Sequence, residues 1–232
     1  MPVKFYEQWY EKLVRSSDEK KLVADKLVEL CKDISHEGLL EVGMGTAPYF
    51  AERLHQLFSD YWIVEKQPRI CDFPRNVQFF QEDYEVCRIE RTFDVILLSH
   101  VVYYFNDLKE VIQKTLNLLK KGGRAYFVVN NGCGGDYVKT KAMFSHLTGV
   151  PLTFTYELLK QALEGTPIKE YSVNTKISFT SHEDLYESMA LFFDLYPEEF
   201  RANREPIIHW LQGNITNKEF TMVQQIIEIS KE

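Results

Sequence analysis

Apolar and polar positions along this 232-residue chain change their period several times. Between Lys4 and Ile34 the apolar residues recur at helical spacing, with Leu22, Val23, Leu27, Leu30 and Ile34 on one stripe. Ser16-Ser17-Asp18 interrupts that run and predicts two helices, the second capped at this polar triplet. Leu39 to Val42, after Gly38, is a short apolar run that reads as a first strand. From about Ala47 to Phe58 the helical period returns, with Phe50, Ala51, Leu54, Leu57 and Phe58 inward, and Tyr61 to Val64 reads as a second strand. Lys66 to Arg75 contains Pro68 and Pro74 and leaves room only for a short or irregular connection. Val77 to Phe80 is a third strand. Phe93 to Leu98 is a continuous apolar run, as a strand covered on both faces requires. Leu108, Val111, Ile112, Leu116 and Leu119 mark a helix that Gly122-Gly123 would end, before a fifth strand from Arg124 to Val129.

Strand and helix alternate to this point, which implies a parallel sheet with right-handed crossovers. The pattern then changes. Asn130 to Gly149 reads as a loop and a short amphipathic helix, Thr155 to Leu163 as a helix, and Ile168 to Phe179 as extended chain. Ser181 to Gln212 is a helical insertion opening on the cap-like Ser181-His182-Glu183-Asp184, and Phe220 to Ile229 is a last strand. The expectation is an α/β fold with a doubly wound, mostly parallel seven-stranded sheet in a single domain. Residues 1–36 would form an N-terminal helical lid, 37–130 the ligand-binding core, and 131–232 the substrate-side elements and last strands.

Composition narrows the function classes. A chain of this length buries roughly 70–75% of its unfolded surface and needs no disulfide to hold a core. Its four cysteines form no C-x-x-C pair, which points to reduced thiols in the cytoplasm, and the histidines show no metal-ligand spacing. The N-terminus lacks the apolar core of a signal peptide, and no apolar run is long enough to span a bilayer. The formal charge is -7 with Lys and Arg dispersed, which argues against nucleic acid and for a small-molecule substrate. Nothing in the composition separates a monomer from a homodimer. The 16 Phe and 13 Tyr suit an apolar pocket as well as a core.

The candidate chemistry is concentrated where the first strand breaks, at Leu39-Leu40-Glu41-Val42-Gly43-Met44-Gly45-Thr46-Ala47. Gly43 and Gly45 would let backbone approach a ligand where a Cβ would collide. Glu65 ends the second strand about 20 residues after Gly45, and a carboxylate at that place can accept both hydroxyls of a ribose. A dinucleotide site would place a pyrophosphate on the helix N-terminus; Glu41, just before the turn, would repel it. A cationic ligand suits Glu41, and S-adenosylmethionine carries both a sulfonium and an ammonium. A strand-turn-helix without any ligand is the plainer alternative. His100 falls just past the carboxyl end of a central strand, where open α/β sheets place ligands, and a neutral imidazole there could accept a proton or orient a ring. It could equally be a hydrogen-bonded structural histidine. Tyr103, Tyr104 and Phe105 would make an aromatic wall for a cationic or planar substrate, or simply pack in the core.

Glu41-Val42-Gly43-Met44-Gly45, Glu65, Asp83, the Asp94 to His100 strand and Leu118-Leu119-Lys120-Lys121-Gly122-Gly123-Arg124 together resemble the class I S-adenosylmethionine-dependent methyltransferases. The resemblance implies a Rossmann-like methyltransferase fold. Gly43 and Gly45 would then face the methionyl part of the cofactor, Glu65 the ribose, Asp83 and Tyr84 the adenine, and Ser99 the cofactor edge of the fourth strand. Ser99-His100-Val101-Val102-Tyr103-Tyr104-Phe105, the glycine-rich Asn130 to Asp136 segment and Phe5-Tyr6-Glu7-Gln8-Trp9 are more particularly similar to the histamine N-methyltransferases. That likeness implies N-terminal helices over the cofactor and a following carboxylate, here Asp18 with Glu19, on a substrate amine. His100 would stand where that family has a glutamine, Tyr103 and Tyr104 would match unchanged, and Phe5, Trp9 and Tyr137 would complete the substrate side. Phe220 stands where the family has an asparagine. The implied activity is methyl transfer to a nitrogen of a small amine or imidazole compound. O-methylation of a carboxylate or hydroxyl compound and a non-catalytic cofactor-binding partner are the alternatives.

Overall fold

The structure, a computed structural model, describes residues 3–45, 48–68 and 71–232, with side chains from residue 9 onward. Its strands are β1 (Gly38–Val42), β2 (Asp60–Glu65), β3 (Val77–Gln81), β4 (Phe93–Ser99), β5 (Leu119–Asn130), β6 (Ile168–Ser178) and β7 (Glu219–Ser230). The helices are α1 (Val3–Ser16), α2 (Glu19–Leu30), α3 (Tyr49–Leu54), α4 (Leu108–Leu118), α5 (Gly135–Thr148), α6 (Thr155–Ala162), α7 (His182–Ser188), α8 (Pro197–Ala202) and α9 (Arg204–Asn214). Among the described residues the sheet has seven strands in the order β3-β2-β1-β4-β5-β7-β6. Strands β1 to β5 are paired in parallel, and β7 runs antiparallel to β5. This is the Rossmann-like methyltransferase fold.

The continuous apolar character of β4 has the expected cause, since every residue of it is buried. Alternate side chains feed two cores. Leu40, Val42, Ile96, Leu98, Ala125 and Phe127 pack with Val111 and Ile112 of α4 and Leu159 of α6. Leu39, Ile63, Val95, Leu97, Tyr126 and Val128 pack with α2 and α3. Each fully buried aliphatic or aromatic side chain contributes roughly 1.5–3 kcal/mol. This is where the register of the sheet, and hence the place of its carboxyl-end loops, is set.

Two expected boundaries are corrected. The helix expected over Ala47 to Phe58 is described only for Tyr49–Leu54, with Pro48 at its N-cap (φ -78°), an angle the pyrrolidine ring favours at a helix start. Gly122 and Gly123 do not stop a helix: α4 ends at Leu118 and Leu119 is already extended (ψ 140°). The glycines lie inside β5, where the register with β4 shifts between Phe93 and Val95. A Cβ on Gly123 would press on the carbonyl oxygens of Lys120 and Phe93 at 3.0 Å, so the close strand approach is what needs glycine there.

The chain divides into two compact units. One comprises residues 21–130, 154–173 and 224–232 and is called the sheet unit here; the other comprises 1–20, 131–153 and 174–223 and is called the helical unit. In the helical unit Ser181 caps α7, its Oγ accepting the Asp184 N–H at 3.1 Å, as its sequence suggests. Phe193 stacks on Phe200 (4.8 Å between centroids), and Phe200 on Tyr186 (4.4 Å). No helix among the described residues is long and apolar enough to cross a membrane.

Candidate active site

The break after β1 is built on left-handed backbone. Gly43 has φ +76° and Gly45 φ +69°, angles that L side chains rarely adopt. The Gly43 N–H donates to the Val64 carbonyl at 2.9 Å, which prolongs the β1–β2 ladder by one bond. A Cβ on Gly43 would stand 2.0 Å from Cγ1 of Val101. Val101 follows β4, so the turn and the loop after β4 are in contact through the missing side chain. Thr46 and Ala47 lie outside the described residues.

Glu65 holds the turn to the tip of β2. The Gly45 N–H donates to its Oε2 at 2.8 Å and the Gln67 N–H to its Oε1 at 2.8 Å. The residue is 7% exposed. A carboxylate offers roughly four acceptor positions, so two backbone amides leave capacity for hydroxyl donors from a ligand. Glu41 is 1% exposed and lies on the β1 face that carries Leu39. Its Oε2 accepts the Tyr61 hydroxyl at 2.7 Å. Burial, and then the negative charge of Glu41, push the Tyr61 phenol well above its ordinary range and keep it a donor. The sequence reading missed Tyr61, although strand alternation contains the signal. Glu41 pairs with Ile63 in register, and Tyr61 lies on the same face two residues earlier.

At the end of β4, Ser99 is 5% exposed, and its Oγ has no hydrogen-bond partner among the described residues. A buried hydroxyl without a partner costs free energy, and this one is placed at the carboxyl edge of the sheet. His100 follows with φ +54°, uncommon for a residue with a Cβ, and its N–H donates to the Val128 carbonyl at 2.9 Å. Val102–Tyr104 then form a single 3₁₀ turn. Tyr103 and Tyr104 are both exposed and meet edge to face at 4.5 Å, so they are not core residues; Phe105 is the member of the trio that packs against the core. The chain therefore joins Gly45 to Glu65 directly and Gly43 to Val64 beside it, and sets Ser99, His100, Tyr103 and Tyr104 in one segment beside Val101.

Other candidates take different places. Tyr84 packs in the core: it is 3% exposed, its hydroxyl is 3.1 Å from Thr115 Oγ1, and Lys114 lies over its ring. Asp83 pairs with Lys66 at 2.7 Å and accepts the Glu85 N–H at 3.0 Å; the bond from Lys66 holds its carboxyl below the usual range.

In the helical unit Asp18 is stitched to the backbone of Lys176. Its Oδ1 accepts the Lys176 N–H at 2.8 Å and its own N–H donates to the Lys176 carbonyl at 3.1 Å. Ser17, not Asp18, receives the first N–H of α2, from Glu19 at 3.1 Å. Glu19 is buried with Lys20 Nζ at 3.7 Å. Trp9 lies under the Arg201 guanidinium at 5.5 Å. Tyr137 is buried edge to face with Phe192 at 5.2 Å. The Phe5 side chain lies outside the described residues.

A left-handed glycine turn, a carboxylate with spare acceptor capacity and a buried hydroxyl, all at the carboxyl ends of β1, β2 and β4, fit a nucleoside. Comparison with known proteins agrees. A family profile described as a methyltransferase domain matches residues 15–191. A malonyl-[acyl-carrier protein] O-methyltransferase of Magnetococcus marinus is 31% identical over 117 residues, covering 45% of this chain and 43% of that protein. The chain spans less than half the length of the curated relatives it matches. Among solved structures, the YcgJ protein of Bacillus subtilis superposes with a TM-score of 0.58 at 13% identity, over 90% of this chain and 98% of the other. The N-methyltransferase NodS of Bradyrhizobium japonicum WM9, in complex with S-adenosyl-L-homocysteine, superposes with a TM-score of 0.52 at 12% identity, over 97% and 100%.

Proposed function

Since the chain belongs to the methyltransferase domain family and is an S-adenosylmethionine-dependent methyltransferase, we propose that it methylates an oxygen of a small carboxylate compound. The observation that carries this reading is the likeness to malonyl-[acyl-carrier protein] O-methyltransferases, whose acceptor group bears a carboxylate.

In this reading Gly43 and Gly45 pass along the methionyl portion, Glu65 holds the ribose, Asp83 stands at the adenine end, and Ser99 meets the cofactor at the end of β4. Glu41 supplies negative charge beneath the backbone without touching the ligand. The bound cofactor supplies a methyl group activated by a positive sulfur. A carboxylate oxygen arrives with a free lone pair, so no residue has to remove a proton. The work of the chain is alignment and exclusion of water. His100, Tyr103 and Tyr104 would orient the acceptor. The cofactor residues named here all lie in the sheet unit. The spacing of the four cysteines, with no C-x-x-C pair in the sequence, is compatible with reduced thiols in the cytoplasm. A nitrogen of an amine or imidazole compound is the second reading, favoured by the exposed Tyr103–Tyr104 pair, whose ring faces suit a cation.

The test is to incubate the protein with S-adenosylmethionine and a panel of malonyl thioesters, simple carboxylates, histamine and other amines, and to follow product by mass. A product whose methyl group is released by mild alkali, as an ester's is, supports the carboxylate. A methyl group stable to alkali on an amine or imidazole overturns it in favour of the second reading.

A further inference from the structure

A polar pair ends the buried run of β5 inside the sheet unit. Ala125 to Val129 are all buried, and Asn130, half-buried, closes the strand. Opposite it in register stands Gln224 of β7, which is fully buried. The Gln224 Nε2 donates to Asn130 Oδ1 at 2.9 Å. That bond occupies the amide oxygen, so the end of Asn130 turned away from Gln224 is its NH2 group, a donor. Side-chain alternation fixes the face. Tyr126 and Val128 of β5 and Val95 and Leu97 of β4 pack on the α2 and α3 side, and Asn130 and Ser99 continue the same two rows. Ser99 pairs with Val128, two residues before Asn130. At ordinary strand spacing and rise this puts the Ser99 and Asn130 Cα atoms roughly 8 Å apart. A buried hydroxyl without a partner among the described residues and an amide with its donor end turned away from its own partner therefore share one edge of the sheet.

In the reading above, the cofactor residues follow the strand order, with Glu65 on β2, Gly43 and Gly45 after β1, and Ser99 on β4; β5 is the next strand. A group at its carboxyl end faces what lies past the cofactor, where the methyl acceptor has to stand. We propose that Asn130 binds that acceptor, its amide donating to the carboxylate oxygen that is not methylated. The other oxygen forms its bond to the methyl carbon as the sulfur–carbon bond breaks and that electron pair returns to sulfur, leaving a neutral ester and a neutral thioether. The reaction thus consumes the carboxylate's charge. A lysine or arginine would stabilise that charge most in the ground state, whereas a neutral donor orients the group at less cost to the barrier. The choice of a carboxylate rests on the acceptor reading above; the placement of Asn130 rests on Gln224 and the sheet register.

The test is calorimetric titration of malonate into the full chain saturated with S-adenosylhomocysteine, for the wild type, Asn130→Asp and Asn130→Ala. Asn130→Asp still offers Gln224 an oxygen, but turns a charged oxygen outward where the donor was. Malonate should bind the wild type, and Asn130→Asp should weaken it about tenfold or more, the fold-change of a lost hydrogen bond to a charged group. Asn130→Ala, which loses the donor without adding a like charge, should fall between the two. All three proteins should bind S-adenosylhomocysteine equally. Equal malonate binding by wild type and Asn130→Asp, or no binding to the wild type, overturns the assignment. So does a matching loss of S-adenosylhomocysteine affinity, which an amide that only braces the sheet edge would give. Should Asn130→Asp not fold, Asn130→Ala decides, and malonate affinity equal to that of the wild type overturns the proposal. Asn130-dependent malonate binding without methyl ester formation from any acid of the panel upholds a carboxylate site at Asn130 and sinks the acceptor reading. A methyl ester formed by Asn130→Asp at an unchanged KM for the acid does the reverse.

Discussion

The tips of β2 and β3 are neighbours in one parallel sheet, with Glu65 opposite Gln81, and each carries a carboxylate placed by the same sequence logic. Glu65 is buried and receives two backbone amides, one of them from the glycine turn. Asp83 lies two residues past β3, half-buried, and faces Lys66, whose side chain is 73% exposed. The first carboxylate is part of the wall of the turn; the second sits in a surface pair of small net value. Spacing along the chain places a carboxylate at the sheet edge, but its bonding partners decide whether it is a fixed part of a site.

The steepest way to break the comparison is at the turn itself. Gly43→Ala adds a Cβ at φ +76° and 2.0 Å from Val101. It should cost about 2–4 kcal/mol of stability in denaturant unfolding, by backbone strain and overpacking together. Adding Val101→Ala should recover the overpacking share only; full recovery would show that the left-handed angle is unimportant.

Glu65→Ala should weaken cofactor binding by at least ~1.5 kcal/mol, or about tenfold. Asp83→Ala should weaken it by less than Glu65→Ala does, because the Asp83 carboxylate is shared with the exposed Lys66. Equal losses in the two variants, read by calorimetry, would erase the distinction. Tyr84→Phe sharpens it further. Loss of the hydroxyl contact to Thr115 should lower stability by about 1 kcal/mol while cofactor affinity stays unchanged. A weakened cofactor would return the ring to the site.

The smallest effect lies in the helical unit. Burial raises the Asp136 carboxyl, but bonds from Thr221 and Lys139 outweigh it and leave the pKa lowered. A folded value below the unfolded one gives a stability contribution that is complete above the unfolded titration, near pH 4. It is lost as pH falls through the folded value. Thermal unfolding of wild type and Asp136→Asn should therefore differ at neutral pH and converge in acid. A gap that widens on acidification would contradict that assignment.

The legible parts of this molecule were those where one physical requirement dominates. Burial on both faces makes β4 unbroken apolar sequence, and a left-handed turn at a strand end asks for Gly43 and Gly45. Where two requirements give the same residue, the sequence was ambiguous. Gly122-Gly123 suits a helix stop as well as a tight strand approach, and only the pairing with Phe93 and Lys231 separates them. Tyr84 next to Asp83 suits a nucleobase contact as well as a core position, and its partner Thr115 is distant in sequence. Asp18 could cap, bind or stitch; its partner, Lys176, is far along the chain.

Amide hydrogen exchange with and without S-adenosylhomocysteine tests the central claim most directly, since it reports which backbone the cofactor orders. The account predicts protection concentrated in peptides covering 39–49, 61–67 and 97–105, with Gly45 and Gln67 among the most affected amides. Protection centred elsewhere, with these three segments unchanged, would contradict a cofactor site at the carboxyl ends of β1, β2 and β4.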